Sequence, residues 1–209
     1  MSLAAGTRLG PYEIMSPLGA GGMGEVYRAR DTRLGREVAI KVLLADVSAD
    51  DSRRRRFEQE ARSASALNHP NIVTVYDVGS VDSTIYLAME LVEGRTLREM
   101  LADGALAPRR MLEIAVQVAD GLAKAHDAGL VHRDLKPENL IVSKDGFVKI
   151  LDFGLAKLTE TTSSGGLSVL PTVAGAPGTV PGTVMGTVGY MSPEQASGRE
   201  VDYRSDQFS

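Results

Sequence analysis

The chain has 209 residues, of which 43% are hydrophobic and 24% are charged, a content that suits one ordinary domain or two small lobes around a buried core. It contains no cysteine, which excludes disulfides, thiolate metal sites and cysteine nucleophiles. The formal charge of −4 does not indicate a surface for binding nucleic acid. No stretch approaches the roughly 20 apolar residues that a membrane span needs. We therefore expect a cytoplasmic protein that binds no nucleic acid and has no membrane segment in this chain.

The first stretch with a chemical signal is a glycine-rich turn after the first predicted strand. It consists of Leu18, Gly19, Ala20, Gly21, Gly22, Met23 and Gly24. Glycines let backbone amides approach phosphate oxygens, because no side chain stands in the way. A dinucleotide-binding fingerprint would need a helix directly after the glycines, whereas residues 25–30 alternate with period two, as a strand does. A flexible hairpin turn without a ligand stays open at this point.

The next predicted strand, over residues 37–44, is apolar and carries one lysine, Lys41, in its interior. A lysine at a sheet edge could reach solvent, but a buried ammonium needs a partner. A helix predicted over residues 50–67 offers Glu60 at the edge of its inward apolar stripe. The competing carboxylate, Glu58, points roughly 160° away from Glu60 at about 100° per residue. We therefore expect Lys41 to pair with Glu60.

The remaining predicted elements change from strands to helices near residue 94. Strands over residues 71–77 and 84–89 complete an antiparallel sheet of five strands with one helix. Helices follow over residues 96–102 and 108–126, and the second has Pro108 near its start and a wide apolar stripe. The sequence thus predicts an α+β protein with a sheet-rich first part and a helical second part.

The stretch after the second helix concentrates groups that suit phosphoryl transfer. Asp134, Lys136 and Asn139 stand within six residues, and a second carboxylate, Asp152, follows 18 residues after Asp134. Phosphoryl transfer needs an oriented hydroxyl and neutralised phosphate charge, and magnesium prefers hard oxygen ligands such as amides and carboxylates. The spacing therefore predicts a site for a hydroxyl, a phosphate and a divalent cation. We expect His126 and His132 to be structural.

With the glycine-rich turn, the sequences His132-Arg133-Asp134, Lys136-Pro137-Glu138-Asn139 and Asp152-Phe153-Gly154 resemble a serine/threonine protein kinase of the bacterial, eukaryotic-like type. The resemblance implies a two-lobed kinase fold. Residues 1–11 would form a tail, residues 12–93 an N-terminal lobe with the five-stranded sheet, and residues 94–209 a mainly helical C-terminal lobe. It covers only part of such a domain, so we expect an incomplete helical lobe of marginal stability. The resemblance assigns residues 132–139 to the catalytic loop, and Asp206 would bond to this loop from below.

The resemblance also implies individual roles, with ATP and Mg²⁺ as cofactors and protein Ser/Thr hydroxyls as substrates. Asp134 would accept the hydroxyl proton, and Lys136 would contact the γ-phosphate. Asn139 and Asp152 would bind Mg²⁺. The nucleotide would be held by the glycine-rich turn, by Lys41 with Glu60, and around the base by Val26, Ala39, Glu90, Val92 and Ile141. At the base, Glu90 and Val92 would use backbone groups, Val26 and Ala39 would form the roof, and Ile141 the floor.

The segment that follows Asp152 has an unusual composition. Residues 161–193 contain no charged side chain. By resemblance, Arg133 would receive a phosphate on this loop, so we expect phosphorylation of Thr179 or Thr183 to order it. Self-association would allow one copy to phosphorylate another. Two alternatives stay open: a flexible insertion without a regulatory role, and a catalytically silent ATP-binding pseudokinase or scaffold.

Overall fold

The computed structural model describes residues 2–21, 24–43, 51–82, 84–153 and 187–209. The larger sheet is built from β1 (Arg8–Leu9), β2 (Tyr12–Gly21), β3 (Gly24–Asp31), β4 (Arg36–Leu43), β5 (Val75–Val81) and β6 (Thr84–Met89). All neighbouring pairs are antiparallel, and the strand order is β1-β2-β3-β4-β6-β5. Helix α1 (Asp51–Ser65) packs near β5. This part forms the N-terminal lobe.

The period-two alternation of β4 divides its side chains between two apolar clusters. Val38 and Ile40 pack on one face of the sheet, with residues of β2 and β3. Ala39 and Leu43 pack on the other face, which is covered by Phe57 of α1. Successive side chains of a strand point to opposite faces. Lys41 therefore lies on the α1 face.

The second part of the chain contains helices and a small sheet. The sheet has the order β7-β8-β9 and consists of β7 (Gly94–Thr96), β8 (Leu140–Ser143) and β9 (Val148–Ile150). The helices are α2 (Leu97–Ala102), α3 (Pro108–Asp127), α4 (Pro193–Ala196) and α5 (Tyr203–Phe208), with 3₁₀ turns at Pro137–Asn139 and Thr187–Tyr190. Gly121 lets α3 approach β9, because a Cβ there would lie 2.8 Å from Ile150 Cδ1.

The two-lobed α+β fold and its predicted helices are confirmed, but two details of the sheet prediction are wrong. The sheet has six strands, since β1, placed by sequence in the tail, pairs with β2 and buries Leu9. The strand predicted to start at Asn71 begins only at Val75. The preceding residues bond to β9 instead, through Val73 N to Ile150 O at 3.0 Å and Ile150 N to Asn71 O at 2.9 Å.

None of the helices in the described ranges combines the length and apolar character that a membrane crossing requires.

Candidate active site

Lys41 makes an ion pair that connects the two lobes. Its side chain is 6% exposed, and its Nζ lies 2.8 Å from Oδ2 of Asp152, just after β9. The ammonium thus reaches a carboxylate that the sequence did not indicate for it, because β9 delivers Asp152 to the N-terminal lobe. The pairing of Lys41 with Glu60 stays a prediction. Glu60 is half-buried in α1, and its nucleotide role stays a prediction.

The catalytic loop brings three predicted residues into contact. Lys136 Nζ lies 2.7 Å from Asp134 Oδ2. Asn139 Nδ2 donates to the carbonyl of Asp134 at 2.7 Å and to its Oδ2 at 3.3 Å. The 3₁₀ turn makes this contact possible, since Asn139 N donates to Lys136 O at 2.9 Å and folds the amide back. Asp134 is thus fixed through both its backbone and its carboxylate.

Asp206 of α5 supports this loop from below, as predicted. It is 2% exposed and accepts three hydrogen bonds. Its Oδ1 accepts from Arg133 N at 2.7 Å, and its Oδ2 accepts from His132 N at 2.8 Å and contacts His126 Nε2 at 2.8 Å. Carboxylate acceptors make hydrogen bonds roughly twice as strong as neutral ones. The short helix α5 is therefore tied to the loop that carries Asp134.

His132 has a structural position, as predicted. It is fully buried, and its ring packs edge-on against Phe153 with centroids 4.9 Å apart. Nε2 lies 2.7 Å from Leu151 O, and Nδ1 accepts from Asp134 N at 3.2 Å. Burial lowers the pKa of His132. A neutral ring with its proton on Nε2 satisfies both contacts, because Nδ1 must then accept.

Arg133 and Asp152 have left-handed backbones, with φ of 69° and 60°. Such values are uncommon for residues other than glycine and concentrate at functional sites when surrounding contacts hold them. At Asp152 this conformation accompanies the ion pair with Lys41.

A divalent cation fits the oxygen donors at this site. Asn139 uses Nδ2 in hydrogen bonds, and no hydrogen bond among the described residues occupies its Oδ1. Leu151 N donates to Asn139 O at 2.9 Å, which places the loop beside the residue that precedes Asp152. One amide and one carboxylate oxygen are the kind of partial ligand set that Mg²⁺ completes with phosphates and water. No group of three or more His, Asp or Glu ligands occurs within the described ranges.

The predicted base-binding residues lie in or beside the connection between the lobes, which consists of residues 90–93, between β6 and β7. Ala39 pairs with Met89 in the sheet, and Val26 pairs with Lys41. Glu90 N donates to Thr74 O at 2.9 Å. In the described residues, no backbone hydrogen bond uses the Glu90 carbonyl or the Val92 amide. These groups are therefore compatible with their predicted contacts to a base, which stay a prediction.

A lysine that sequence reasoning missed lies beside this connection. Lys149 of β9 pairs in register with Ile141, the predicted floor of the base site. Its Nζ lies 2.8 Å from Glu90 Oε2 and donates to Ile72 O at 3.3 Å. A lysine in the middle of a short apolar strand is the same signal that identified Lys41. The same reasoning applied to β9 predicts that Lys149, like Lys41, needs a carboxylate partner.

The glycine-rich turn extends a hairpin between β2 and β3. Gly19 pairs with Val26, Ala20 with Glu25, and Gly21 with Gly24. A Cβ at Gly24, where φ is 146°, would lie 1.9 Å from Val42 O. Leu18 is 51% exposed at the start of the turn. Because a strand and not a helix follows the glycines, the dinucleotide-fingerprint reading is excluded. Gly22 lies outside the described residues.

Two lobes that meet at a site with two lysines, an amide and two carboxylates are the architecture of the protein kinase class. Residues 12–209 match the family model of the protein kinase domain. The chain belongs to the protein kinase family, and its relatives place it among bacterial serine/threonine kinase domains.

Two relatives show how far this similarity extends. A probable serine/threonine-protein kinase, SCO3848 of Streptomyces coelicolor, is 47% identical over 205 residues, which cover 96% of this chain and 29% of that protein. The serine/threonine-protein kinase PknB of Mycolicibacterium smegmatis is 47% identical over 203 residues, which cover 95% and 31%. The chain thus spans less than a third of the length of these curated relatives. The crystal structure of the PknI kinase domain of Mycobacterium tuberculosis superposes with a TM-score of 0.75 at 32% identity, covering 99% of this chain and 71% of that one.

Proposed function

We propose that the chain binds ATP with Mg²⁺ and transfers the γ-phosphate to serine or threonine hydroxyls of protein substrates. The observation that carries this proposal is the contact network of Asp134, Lys136 and Asn139, together with the ion pair of Lys41 and Asp152. These contacts involve two carboxylates, two ammonium groups and an amide, which are groups able to accept a proton, neutralise phosphate charge and bind a divalent cation. Phosphoryl transfer depends chiefly on such positioning and charge neutralisation.

Each residue has a defined task in this reaction. The substrate hydroxyl oxygen forms a bond to the γ-phosphorus, and the bond from that phosphorus to the leaving oxygen of ADP breaks. Asp134 takes the hydroxyl proton, while Lys136, 2.7 Å from its carboxylate, neutralises charge on the transferred group. Lys41 holds the α- and β-phosphates. Mg²⁺, bound by Asn139 and Asp152, would neutralise the phosphate oxygens.

Phosphorylation of the loop after Asp152 is proposed as the regulatory step. Arg133 supports it, because its Nε is buried and donates no hydrogen bond to any of the described residues. A phosphate offers charged oxygen acceptors that pair well with a guanidinium. The candidate threonines, Thr179 and Thr183, lie outside the described residues. Modification of one copy by another would make a second copy of the chain a transient partner, and a cytoplasmic location stays a prediction.

The test uses labelled ATP, Mg²⁺ and a generic protein substrate, with nucleotide binding measured separately. Asp134→Asn is expected to lower kcat by about 10²–10⁴-fold, because the proton acceptor is lost, while nucleotide affinity is kept. Asp145→Asn, on an exposed turn, is the matched control and should leave the rate unchanged. Replacing Thr179 and Thr183 together by alanine should prevent activation by prior autophosphorylation.

Two results would contradict the proposal in different ways. Nucleotide binding without transfer by the unmodified chain would favour the silent pseudokinase or scaffold. Failure to bind ATP at all would overturn the nucleotide site itself.

A further inference from the structure

We propose that Gln195 is a positioning residue for Asp134, an inference that rests on the proposed kinase function. The side chain of Gln195, in α4, donates from Nε2 to the carbonyl of Arg133 at 2.6 Å. That carbonyl belongs to the peptide that links Arg133 to Asp134. Gln195 therefore acts on the backbone that places the proposed proton acceptor, without touching substrate or nucleotide itself.

The peptide between Arg133 and Asp134 is held at both ends. Its carbonyl accepts from Gln195, and its N–H donates to Nδ1 of His132 at 3.2 Å. A peptide unit is planar, so fixing both polar groups fixes the plane. The orientation of this plane sets the direction in which Asp134 leaves the loop. With its carbonyl released, the peptide could rotate and carry the carboxylate away from the substrate hydroxyl.

The loop needs such support because Arg133 has a left-handed backbone, with φ of 69°. A residue with a Cβ occupies this region only when its surroundings enforce it. Asp206 holds the N–H of Arg133 at 2.7 Å from below, and Gln195 holds its carbonyl at 2.6 Å. These two side chains thus secure both backbone groups of the residue in the unfavourable conformation.

Gln195 is itself oriented by the N-terminal cap of α4. Its Oε1 accepts from Ser192 N at 3.0 Å, and its backbone N donates to Ser192 Oγ at 3.3 Å. Because the amide oxygen is engaged by an N–H, the amide nitrogen must face Arg133. Ser192 is fully buried and its Oγ donates to Ser205 Oγ at 3.0 Å, next to Asp206. Gln195 and Asp206, the two side chains that support the loop, therefore belong to one hydrogen-bonded network through Ser192 and Ser205.

This arrangement connects the end of the proposed regulatory segment to the proton acceptor. Gln195 lies two residues after the end of that segment, so a change in the position of α4 would move the donor that holds the Arg133 carbonyl. The contact supplies a route by which ordering of the segment would reach Asp134 without a direct contact between them.

Gln195→Glu separates the positioning contact from helix capping. A glutamate keeps the acceptor for Ser192 N, and glutamate is a usual residue at this place in a capping box, but it has no N–H for Arg133 O. We expect kcat to fall about 10- to 100-fold, as misplacement of a catalytic group does, with KM for ATP unchanged. Gln195→Met removes the donor without adding charge and should lower kcat similarly.

Two controls isolate the role of the hydrogen bond. Glu99→Gln makes the reverse exchange at the equivalent position of the other capping box, at Thr96, far in sequence from the loop, and should leave kcat unchanged. The pH profile of kcat for Gln195→Glu should keep its shape while its plateau falls. A shifted profile in Gln195→Glu together with a normal rate in Gln195→Met would mean that the new charge, and not the lost donor, is responsible, and would overturn the inference.

A measurement that needs no activity completes the test. Hydrogen exchange of the Asp134 amide should become faster in both Gln195 variants, because the peptide plane is released, while exchange in β4 stays unchanged. Unaltered exchange at Asp134, or kcat within about twofold of the unmodified chain, would overturn the inference. If the unmodified chain transfers no phosphate but exchange at Asp134 responds, the kinase proposal fails and the positioning contact stands.

Discussion

At the scale of single residues, His132 makes folding stability depend on pH. Burial lowers its pKa in the folded chain, whereas in the unfolded chain the imidazole has its ordinary pKa of about 6.5. As pH falls below that value, the unfolded chain binds more protons than the folded one, so the free energy of unfolding decreases. The decrease is at most about 1.4 kcal/mol per pH unit for one group. Above that pH, His132 is neutral in both states and contributes no slope.

Denaturant unfolding measured between about pH 5 and 8 tests this prediction. His132→Phe should have a smaller slope below neutral pH than the unmodified chain, because it cannot titrate. His69→Gln is the control, since His69 is a half-buried histidine outside the catalytic loop. Equal slopes in the unmodified chain and in His132→Phe would contradict the prediction.

Sequence reasoning identified the residues of the site better than their partners. Asp134, Lys136 and Asn139 could be grouped from spacing alone, because a single turn closes over six residues. Lys41 was recognised as an ammonium that needs a carboxylate, but the sequence does not say which carboxylate reaches it across the lobes. The capping-box spacing of Ser192 and Gln195 marks a helix start but not the contact with Arg133, since that contact depends on a carbonyl brought near Gln195 by the tertiary fold.

At the scale of elements, β9 links two parts of the candidate site. Its Lys149 contacts Glu90, between the lobes, and the strand ends two residues before Asp152. Lys149 Nζ, on β9, binds Glu90 Oε2 at 2.8 Å, and the same oxygen accepts from Thr74 N at 3.2 Å. The side chains of Lys149 and Glu90 are only 16% and 26% exposed. A charge-assisted hydrogen bond that is shielded from water in this way stabilises the folded state more than an ion pair on the exposed surface does.

Lys149→Met should therefore lower the free energy of unfolding by about 1–3 kcal/mol and weaken ATP binding. The physical reason is that Glu90 keeps its charge in a half-buried place and loses its strongest partner. Lys144→Met is the matched control. Lys144 pairs with Glu93 at 3.7 Å, and both side chains are more than half exposed, at 82% and 62%. Denaturant unfolding and nucleotide titration of both variants are the measurements, and equal losses in the two would contradict the prediction.

Element boundaries were predictable where local signals mark them and not where the lobes meet. Helix α2 begins after Thr96, whose capping box with Glu99 is a local signature. Residues 71–74, with Ile72 and Val73 at their centre, resemble the start of a strand, yet they bond to β9 and to Glu90. Alternation in a short run cannot distinguish pairing within a sheet from pairing with a distant strand.

At the scale of the whole molecule, sequence order and spatial lobes do not coincide. Leu67 and Ile72 come from the first part of the chain but pack in the cluster of Leu122 and Ile150. The core of the helical lobe is thus completed by residues that precede β5. This crossing, with the ion pair of Lys41 and Asp152, couples the two lobes through packing and charge.

Asp206 joins α5 to α3 and to the catalytic loop through one buried carboxylate. We expect Asp206→Asn to lower the free energy of unfolding by about 1–3 kcal/mol, because a buried N–H loses its acceptor. The asparagine keeps the shape, but its NH₂ group must face a donor, either the N–H groups of the loop or His126. Hydrogen exchange at the amides of His132 and Arg133 should accelerate more than exchange elsewhere.

The matched control for this change lies four residues earlier, at the start of the same helix. Asp202 caps α5 by accepting from Arg204 N at 2.9 Å, and it is exposed. Asparagine is about as good as aspartate in that position, so Asp202→Asn should change the free energy of unfolding by less than about 0.5 kcal/mol. If both substitutions lowered the free energy of unfolding equally, the contribution of α5 would come from its helical structure and not from the contacts of Asp206 with the loop. A large cost confined to Asp206, with faster exchange in the loop, would show that the carboxylate holds the two backbone amides in front of Asp134.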